Sequence, residues 1–299
     1  TADDNVAVGR SAMAANTSGT DNVSVGAYSL DANTTASNNT AVGYASLGAN
    51  TTGTSNVAVG YTALDANTTA DNNTGLGAYA LTSNTTGTNN TASGSGAMNT
   101  NTTGDNNTAM GVSALYTNNA DNNTAFGRSA LSANTTGTRN VAVGTYSLDA
   151  NTTANDNTAV GYNAATAITT GVSNTAIGAT ALGTLTTGSR NAALGYMALQ
   201  LQTGASDNVG IGNFAGGAVT TGDYNTLVGS LAGDGITTAS SLTAFGYRAL
   251  SAPSCTGANN TAVGKDAMLS NTTGSENTAV GTAALDANTT GVSNVALGR

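Results

Sequence analysis

Residues 39–55 read Asn-Thr-Ala-Val-Gly-Tyr-Ala-Ser-Leu-Gly-Ala-Asn-Thr-Thr-Gly-Thr-Ser, and this 17-residue unit recurs along the whole chain. Its first residue, called the anchor, defines position 1, and it is Asn in seventeen of eighteen repeats. Intervals between anchors are 17 residues except for one of 16 and one of 18, which together restore the phase. Such a period predicts a solenoid, because one coil cannot bury its own apolar face whereas stacked coils can.

Positions 2 to 5 of the unit alternate in size with a period of two, which predicts a β-strand. The larger residues at positions 2 and 4, such as Thr40 and Val42, share one face, for which we expect a core or interface role. Ala41 and Gly43 lie on the opposite face, and we favour close approach of a second chain there because both residues are small. The alternative is a monomeric solenoid in which this Ala/Gly face packs flat sheets. Position 9, occupied by Leu47, predicts a second core stripe. The Asn-Thr-Thr-Gly segment predicts a corner with Gly at positive φ, so each coil should hold two short strands and two corners.

The predicted fold class is therefore all-β, a parallel β-solenoid of 17-residue coils that forms a single array over residues 1–299. Coils spaced about 4.8 Å apart would make a rod of roughly 85 Å. Position 12 divides the array, since it is Asn in 5–156 and in 260–299, whereas several coils of 157–259 carry an aliphatic residue there. The aliphatic substitutes are Ile168, Leu185, Val219 and Ile236.

In-register stacking places each anchor over the next, so their amides are predicted to form a structural ladder or to serve a left-handed corner. The predicted ladder residues in the first half are Asn5, Asn22, Asn39, Asn56, Asn73, Asn90, Asn107, Asn123 and Asn140. The coil that starts at Leu242 contains the extra residue. Pro253 should make that corner bulge outward, and Cys255 is either a buried thiol, which we favour, or a cross-link between chains.

Composition favours a non-catalytic protein without a cofactor or metal. The sequence has no His, which removes the usual general base and the commonest metal ligand, and its single Cys excludes an intrachain disulfide. The net charge of −9 argues against nucleic acid as a partner. No apolar run reaches the roughly 18 residues of a membrane span. Corner carboxylates such as Asp31 and Asp65 could form a calcium ladder, but we favour solvated acids.

Two motifs resemble known families. Asn56-Val-Ala-Val-Gly60, followed by Ala63-Leu64, resembles the head repeats of trimeric autotransporter adhesins. Asn39 to Tyr44, with Asn50-Thr-Thr-Gly53, is similar to bacteriophage tail-fibre repeats. The resemblance implies a left-handed β-roll, three chains around one axis and a role in attachment to a host surface. The 17-residue unit is longer than that of the adhesin heads. Because the sequence starts and stops within a repeat, we expect it to be a segment of a longer protein.

The predicted function is a structural or adhesive extracellular fibre segment, either a tail-fibre shaft or a bacterial surface adhesin, present as a homotrimer or homopolymer. Its expected partner is a host-surface glycan or receptor. A self-assembling extracellular filament is one alternative, and a solenoid that binds ice or polysaccharide through a flat Thr/Asn face is another. Aromatic residues at position 6 are candidate recognition residues, although good strand propensity also explains them. They are Tyr44, Tyr61, Tyr162, Tyr196 and Tyr247.

Overall fold

A computed structural model describes residues 2–299 as an all-β parallel solenoid. Each repeat contributes one three-residue strand at positions 2 to 4, and no helix occurs in the described residues. Two compact units, Thr1–Thr153 and Ala154–Arg299, hold nine strands each. The first unit contains β1 (Val6–Val8), β2 (Val23–Val25), β3 (Thr40–Val42), β4 (Val57–Val59), β5 (Thr74–Leu76), β6 (Thr91–Ser93), β7 (Thr108–Met110), β8 (Thr124–Phe126) and β9 (Val141–Val143). The second contains β10 (Thr158–Val160), β11 (Thr175–Ile177), β12 (Ala192–Leu194), β13 (Val209–Ile211), β14 (Thr226–Val228), β15 (Thr243–Phe245), β16 (Thr261–Val263), β17 (Thr278–Val280) and β18 (Val295–Leu297).

Within each unit, neighbouring strands are parallel and in register, so equivalent positions stack on one another. Thr40 lies beside Val57, and the pairing continues one coil at a time in both units. Backbone hydrogen bonds join each strand to the coil before it and to the coil after it. The Thr40 N–H donates to the carbonyl of Asn56, and the Gly43 N–H donates to the carbonyl of Val25, each at 2.8 Å. Residues at the same repeat position in successive coils therefore form a column along each unit.

The core lies on the Ala face of the strands, so the core role considered for positions 2 and 4 is wrong, and their interface role stays a prediction. Ala41 is fully buried, whereas Val59, one coil on at position 4, is 39% exposed. Position 3 faces the position 9 column, so it holds a small residue wherever position 9 is Leu or Met. The exception is Leu227, which is fully buried in a coil whose position 9 is Gly233, next to a coil whose position 9 is Gly216. A methyl group on Gly75 would already lie 3.4 Å from the side chain of Leu64. The Ala face is thus packed inside the single chain, as in the alternative interpretation, and the favoured expectation that a second chain approaches this face is wrong.

The predicted second strand is also wrong, although the position 9 column is buried as expected. Positions 7 and 9 adopt positive φ in successive coils, as Ala45 and Leu47 do at 50°. The segment is therefore a run of turns and not a strand. Its backbone nevertheless hydrogen bonds to the next coil, where the Leu47 N–H donates to the Ala63 carbonyl at 3.0 Å. The Gly that needs positive φ is Gly43, at 137°, and not Gly53 of the Asn-Thr-Thr-Gly corner. The buried position 9 side chains include Leu30, Leu47, Leu64, Leu81, Met98, Leu115, Leu131, Leu148, Leu182 and Leu199.

The inserted segment returns to the repeat pattern at Cys255. Pro253 and Ser254 are exposed, whereas the Cys255 side chain is fully buried and forms a parallel bridge with Ile236. Cys255 therefore occupies the column of position 12, with its sulfur as a free thiol inside the coil.

Candidate functional site

The anchor residues form a buried network that ties each coil to its neighbours. The backbone N–H of Asn39 donates to Oδ1 of Asn22, and its Nδ2 donates to the carbonyl of Gly53, both at 2.9 Å. In some coils the amides also bond directly, as Asn107 Nδ2 does to Asn90 Oδ1 at 3.1 Å. The left-handed residue is the one before each anchor, at position 17. The anchors thus supply hydrogen bonds and hold the corner closed.

Position 12 forms a second column, in which the side-chain amides bond to one another. In the first unit, Asn67 Nδ2 donates to Asn50 Oδ1 at 2.9 Å, and Asn84 Nδ2 donates to Asn67 Oδ1 at 3.1 Å. In the second unit, Leu185 and the other aliphatic substitutes at this position are fully buried. Gln202 lies among them, and neither of its amide atoms has a hydrogen-bond partner within residues 2–299. Gln202 is not among the site residues predicted from the sequence.

The candidate recognition tyrosines are exposed, but they do not form one site. Tyr44 and Tyr61, in the first unit, are about half exposed, and their rings stack at 5.4 Å with an interplanar angle of 11°. Tyr28 and Tyr79 extend this stack in edge-to-face contact, at 5.8 Å and 5.3 Å. Tyr162, Tyr196 and Tyr247 belong to the second unit, where Tyr196 packs edge-to-face on Phe214. The stacked faces of Tyr44 and Tyr61 are occupied by each other.

Two grooves interrupt the columns. One, of about 440 Å³, lies between Tyr79 and Tyr116 above Gly96. The other, of about 370 Å³, adjoins the insertion and is lined by Asp234 and Pro253 among others. Oδ1 of Asp234 is buried and has no hydrogen-bond partner in the described residues. Neither groove was predicted. The signals in the sequence were a lone Gly at position 7, a lone aromatic at position 10 and the insertion itself.

In each unit the side chains of positions 2 and 4 form a surface, and we call these two surfaces together the outward face. None of its thirty-six residues is charged, and Ser93 is the one polar residue at position 4. Several large apolar side chains are more than a third exposed there, including Leu76 at 39%, Met110 at 44% and Ile177 at 41%. Columns of exposed apolar side chains are typical of interaction surfaces in soluble proteins.

No protein-family model matches this chain. No curated protein sequence matches it either. Within residues 2–299, no group of three or more His, Cys, Asp or Glu side chains is placed to hold a metal ion. In the same range, no helix has the length and apolarity needed to cross a bilayer.

The edges of the outward face carry opposite charges. Position 6, on one edge, contains four basic residues and no acid. Position 17, on the other edge, contains five acidic residues and two Arg. One of the two, Arg190, donates two hydrogen bonds of 2.7 Å to the carboxylate of Asp207 in the next coil. This hydrogen bonding lowers the pKa of the Asp207 carboxyl. The basic set is Arg10, Arg128, Lys265 and Arg299, and the acidic set is Asp4, Asp21, Asp156, Asp207 and Glu276.

Two other groups have perturbed acidity for reasons of burial. The pKa of Asp65 is raised, first because the carboxyl is half-buried and second because the carboxylate of Asp31 lies nearby. Both acids occupy position 10, two coils apart, with Gly48 between them. Burial also raises the pKa of the Cys255 thiol, against a smaller opposing effect of a backbone hydrogen bond from Gly257. A thiol with a raised pKa is a poor nucleophile at neutral pH.

Proposed function

We propose that this chain is a non-catalytic structural segment of an extracellular fibre, which associates with copies of itself through the outward face and serves in attachment to a surface. The observation that carries the proposal is the absence of charge from every outward position of the eighteen strands. A column such as Leu76 and Met110 would be covered in an assembly and is partly exposed in the single chain.

Charge at the edges of two coils favours copies that run parallel and in register, whereas the coil of Arg128 and Arg139 carries the same charge on both edges. Arg10 and Asp21 belong to the same coil but lie on opposite edges, as do Lys265 and Glu276. If the position 6 edge of one copy abuts the position 17 edge of the next, each of these pairs faces an opposite charge. Such a contact joins two different surface patches, so it closes into a ring when the rotation permits. The adhesin resemblance implies a ring of three chains, each of them a left-handed β-roll.

The interior supports a structural role. Its columns hold amides, methyl groups and Leu side chains, and they are joined from coil to coil by short hydrogen bonds such as the 2.9 Å bond from Asn39 N–H to Asn22 Oδ1. With coil-to-coil bonds of this kind, stability accumulates along the stack, which suits a part that bears load or sets a distance.

Sedimentation velocity on two matched variants tests self-association. We expect the wild-type chain to sediment at a multiple of 28.9 kDa, and at three times that mass for a trimer. Leu76→Glu with Ile177→Glu places two charges on the outward face and should shift the protein towards 28.9 kDa. Thr69→Glu with Thr170→Glu adds the same charge at exposed position 14 and should leave the assembly intact. A wild-type protein that is monomeric at every concentration would contradict the proposal.

A second candidate function is ice or polysaccharide binding, and one observation favours it. Position 14 forms a column of exposed Thr, whereas the hydroxyl of the adjacent position 13 is engaged, as in the 3.0 Å bond from Thr51 Oγ1 to the Thr68 carbonyl. The exposed members in the first unit include Thr35, Thr52, Thr69, Thr86 and Thr103. Thermal hysteresis of the purified chain would favour ice binding. Long filaments in electron micrographs would favour the third candidate, a self-assembling filament.

A further inference from the structure

The sixth coil of the first unit departs from the repeat at two positions that meet in space. Position 7 is Gly96, whereas the other coils of Thr1–Thr153 carry Ser, Ala, Thr or Tyr there. Position 10 of the next coil is Tyr116, where the other coils carry a smaller residue. The missing side chain and the added ring together create the groove of about 440 Å³ between Tyr79 and Tyr116.

Two aromatic rings form the walls of this groove. Tyr79 is 47% exposed and Tyr116 is 38% exposed. Tyr61 contacts Tyr79 edge-to-face at 5.3 Å from the side of the preceding coil, so the groove side of Tyr79 stays open. Tyr116 leans over the floor, since a methyl group on Gly96 would lie 3.5 Å from its Cε2. The rings are thus held by packing before any ligand arrives.

The remaining lining is uncharged and mostly polar, with Val112 as its one apolar side chain apart from the floor at Gly96. Ser95 and Ser113 contribute hydroxyl groups, and Asn99 contributes an amide. Asn99 Nδ2 donates to the carbonyl of Tyr79 at 3.2 Å, which orients the amide and leaves its oxygen and one N–H for a ligand. The groove therefore offers two aromatic surfaces with several hydrogen-bonding groups between them, and no lining residue is charged.

We propose that this groove binds a neutral pyranose ring, as the end or a side unit of a glycan. A pyranose combines an apolar face of C–H groups, which packs on an aromatic ring, with a rim of hydroxyls that hydrogen bond to amides and Ser. The volume lies within the roughly 300–1,000 Å³ of small-molecule sites, and a few convergent polar groups are typical of them. Tyr carries its aromatic body and polar tip at a low conformational cost.

The inference deepens the attachment part of the proposed function by naming its ligand class, and it is independent of self-association. The groove is built from positions 6, 7 and 10, whereas the outward face is built from positions 2 and 4. A chain that fails to self-associate could still bind the sugar, and the reverse also holds. The two proposals can therefore fail separately.

Ligand-observed NMR on the full chain tests the groove with methyl glycosides of glucose, galactose and mannose, and with methyl β-D-glucuronide as an acidic probe. We expect at least one neutral glycoside to bind. Tyr116→Ala should weaken binding about tenfold or more, by loss of one stacking surface. Gly96→Tyr should abolish it by filling the groove. The backbone there accommodates Tyr, since φ is 64° at Gly96 and 62° at Tyr79.

Tyr146→Ala is the control, because it removes the same aromatic ring from the first unit at position 7, the position of Tyr79, but outside the groove. It should leave the affinity unchanged, and circular dichroism should show that all three variants are folded. Three results would overturn the proposal: no neutral glycoside binds the wild type, only the glucuronide binds, or binding survives both Tyr116→Ala and Gly96→Tyr. None of these results bears on the sedimentation experiment, which tests self-association alone.

Discussion

Replacement of Gln202 by Leu should stabilise the second unit. Gln202 occupies the position 12 column between the coils of Leu185 and Val219, and all three side chains are fully buried. The backbone on both sides is in register, with Thr186 N–H donating to the Thr203 carbonyl at 2.9 Å. Only the amide of Gln202 is out of place, because an aliphatic column offers it neither donor nor acceptor.

The magnitude follows from the two amide atoms that lack partners. A buried polar group without a hydrogen bond costs about 1–3 kcal/mol. Leu has nearly the volume of Gln, so the exchange should remove this cost without opening a cavity. We expect Gln202→Leu to raise the local free energy of unfolding by about 2–4 kcal/mol, once both groups and the added apolar contact are counted.

Asn67→Leu, at the same position in the first unit, should have the opposite sign. Asn67 donates to Asn50 Oδ1 at 2.9 Å and to the Ala70 carbonyl at 3.0 Å, and it accepts from Asn84 Nδ2 at 3.1 Å. Leu would leave the amides above and below it short of a partner inside the coil. A loss of about 2–4 kcal/mol is expected from two such groups.

Native-state hydrogen exchange measures both changes, because it reports local opening in a stack that need not unfold in one step. Peptides around residues 199–205 and 64–70 should respond in opposite directions at a fixed protein concentration. Slower exchange for Gln202→Leu and faster exchange for Asn67→Leu is the expected pair. Faster exchange in Gln202→Leu would refute the reasoning, since it would mean that the amide contributes favourable interactions in the folded chain.

Three further predictions concern acidity and backbone geometry. Burial, and to a smaller extent the carboxylate of Asp31, raises the pKa of Asp65. The folded chain therefore binds this proton more tightly than the unfolded chain does. The free energy of unfolding should rise as pH falls from neutral towards about 3.9. Asp65→Asn should abolish that rise and add at most about 1 kcal/mol at pH 7, as urea titrations would show; an unchanged pH profile would contradict it. Cys255, whose pKa is raised by burial, should react with a thiol reagent at least tenfold more slowly in the native chain than in urea, and equal rates would place it at the surface. Gly43→Ala should cost about 3 kcal/mol or more in thermal melts, because φ is 137° there. Gly53→Ala should cost less: a methyl group would lie 2.4 Å from the Ala70 carbonyl oxygen and the coils must shift, but φ is not positive at Gly53 and other repeats carry Ala at this position. Similar losses for both would show that φ is not the cause.

Much of the fold could be predicted from the period and from one column. The spacing of the anchors gave the coil, and the Leu at position 9, as at Leu47, marked the core. The inversion of the strand faces could not be predicted from size alone, because large residues are normally assumed to point inward. Here the coil is so thin that a methyl group at Ala41 fills the space opposite Leu, and the β-branched residues must lie outside.

The second strand was predicted around the position 9 Leu because nothing in the sequence indicates that the backbone of this Leu is left-handed. Positive φ at a Leu costs roughly 1–2 kcal/mol, and it is sustained by the burial of its side chain and by its bond to the next coil. The groove could have been found in the sequence by asking which coil loses its position 7 side chain, which singles out Gly96. That its neighbour Tyr116 leans over the gap is a matter of side-chain packing, which sequence spacing does not encode.

The central claim, that the outward face is covered by copies of the chain, is tested most directly by the rate of maleimide labelling at single Cys residues. Val59→Cys places a thiol on the outward face, and Thr52→Cys places one at exposed position 14 of the neighbouring coil. The native Cys255 is buried, so its background should be low. We predict that Val59→Cys labels at least tenfold more slowly than Thr52→Cys in the assembled protein. Equal rates, at a concentration where the chain is at its largest mass, would contradict the claim.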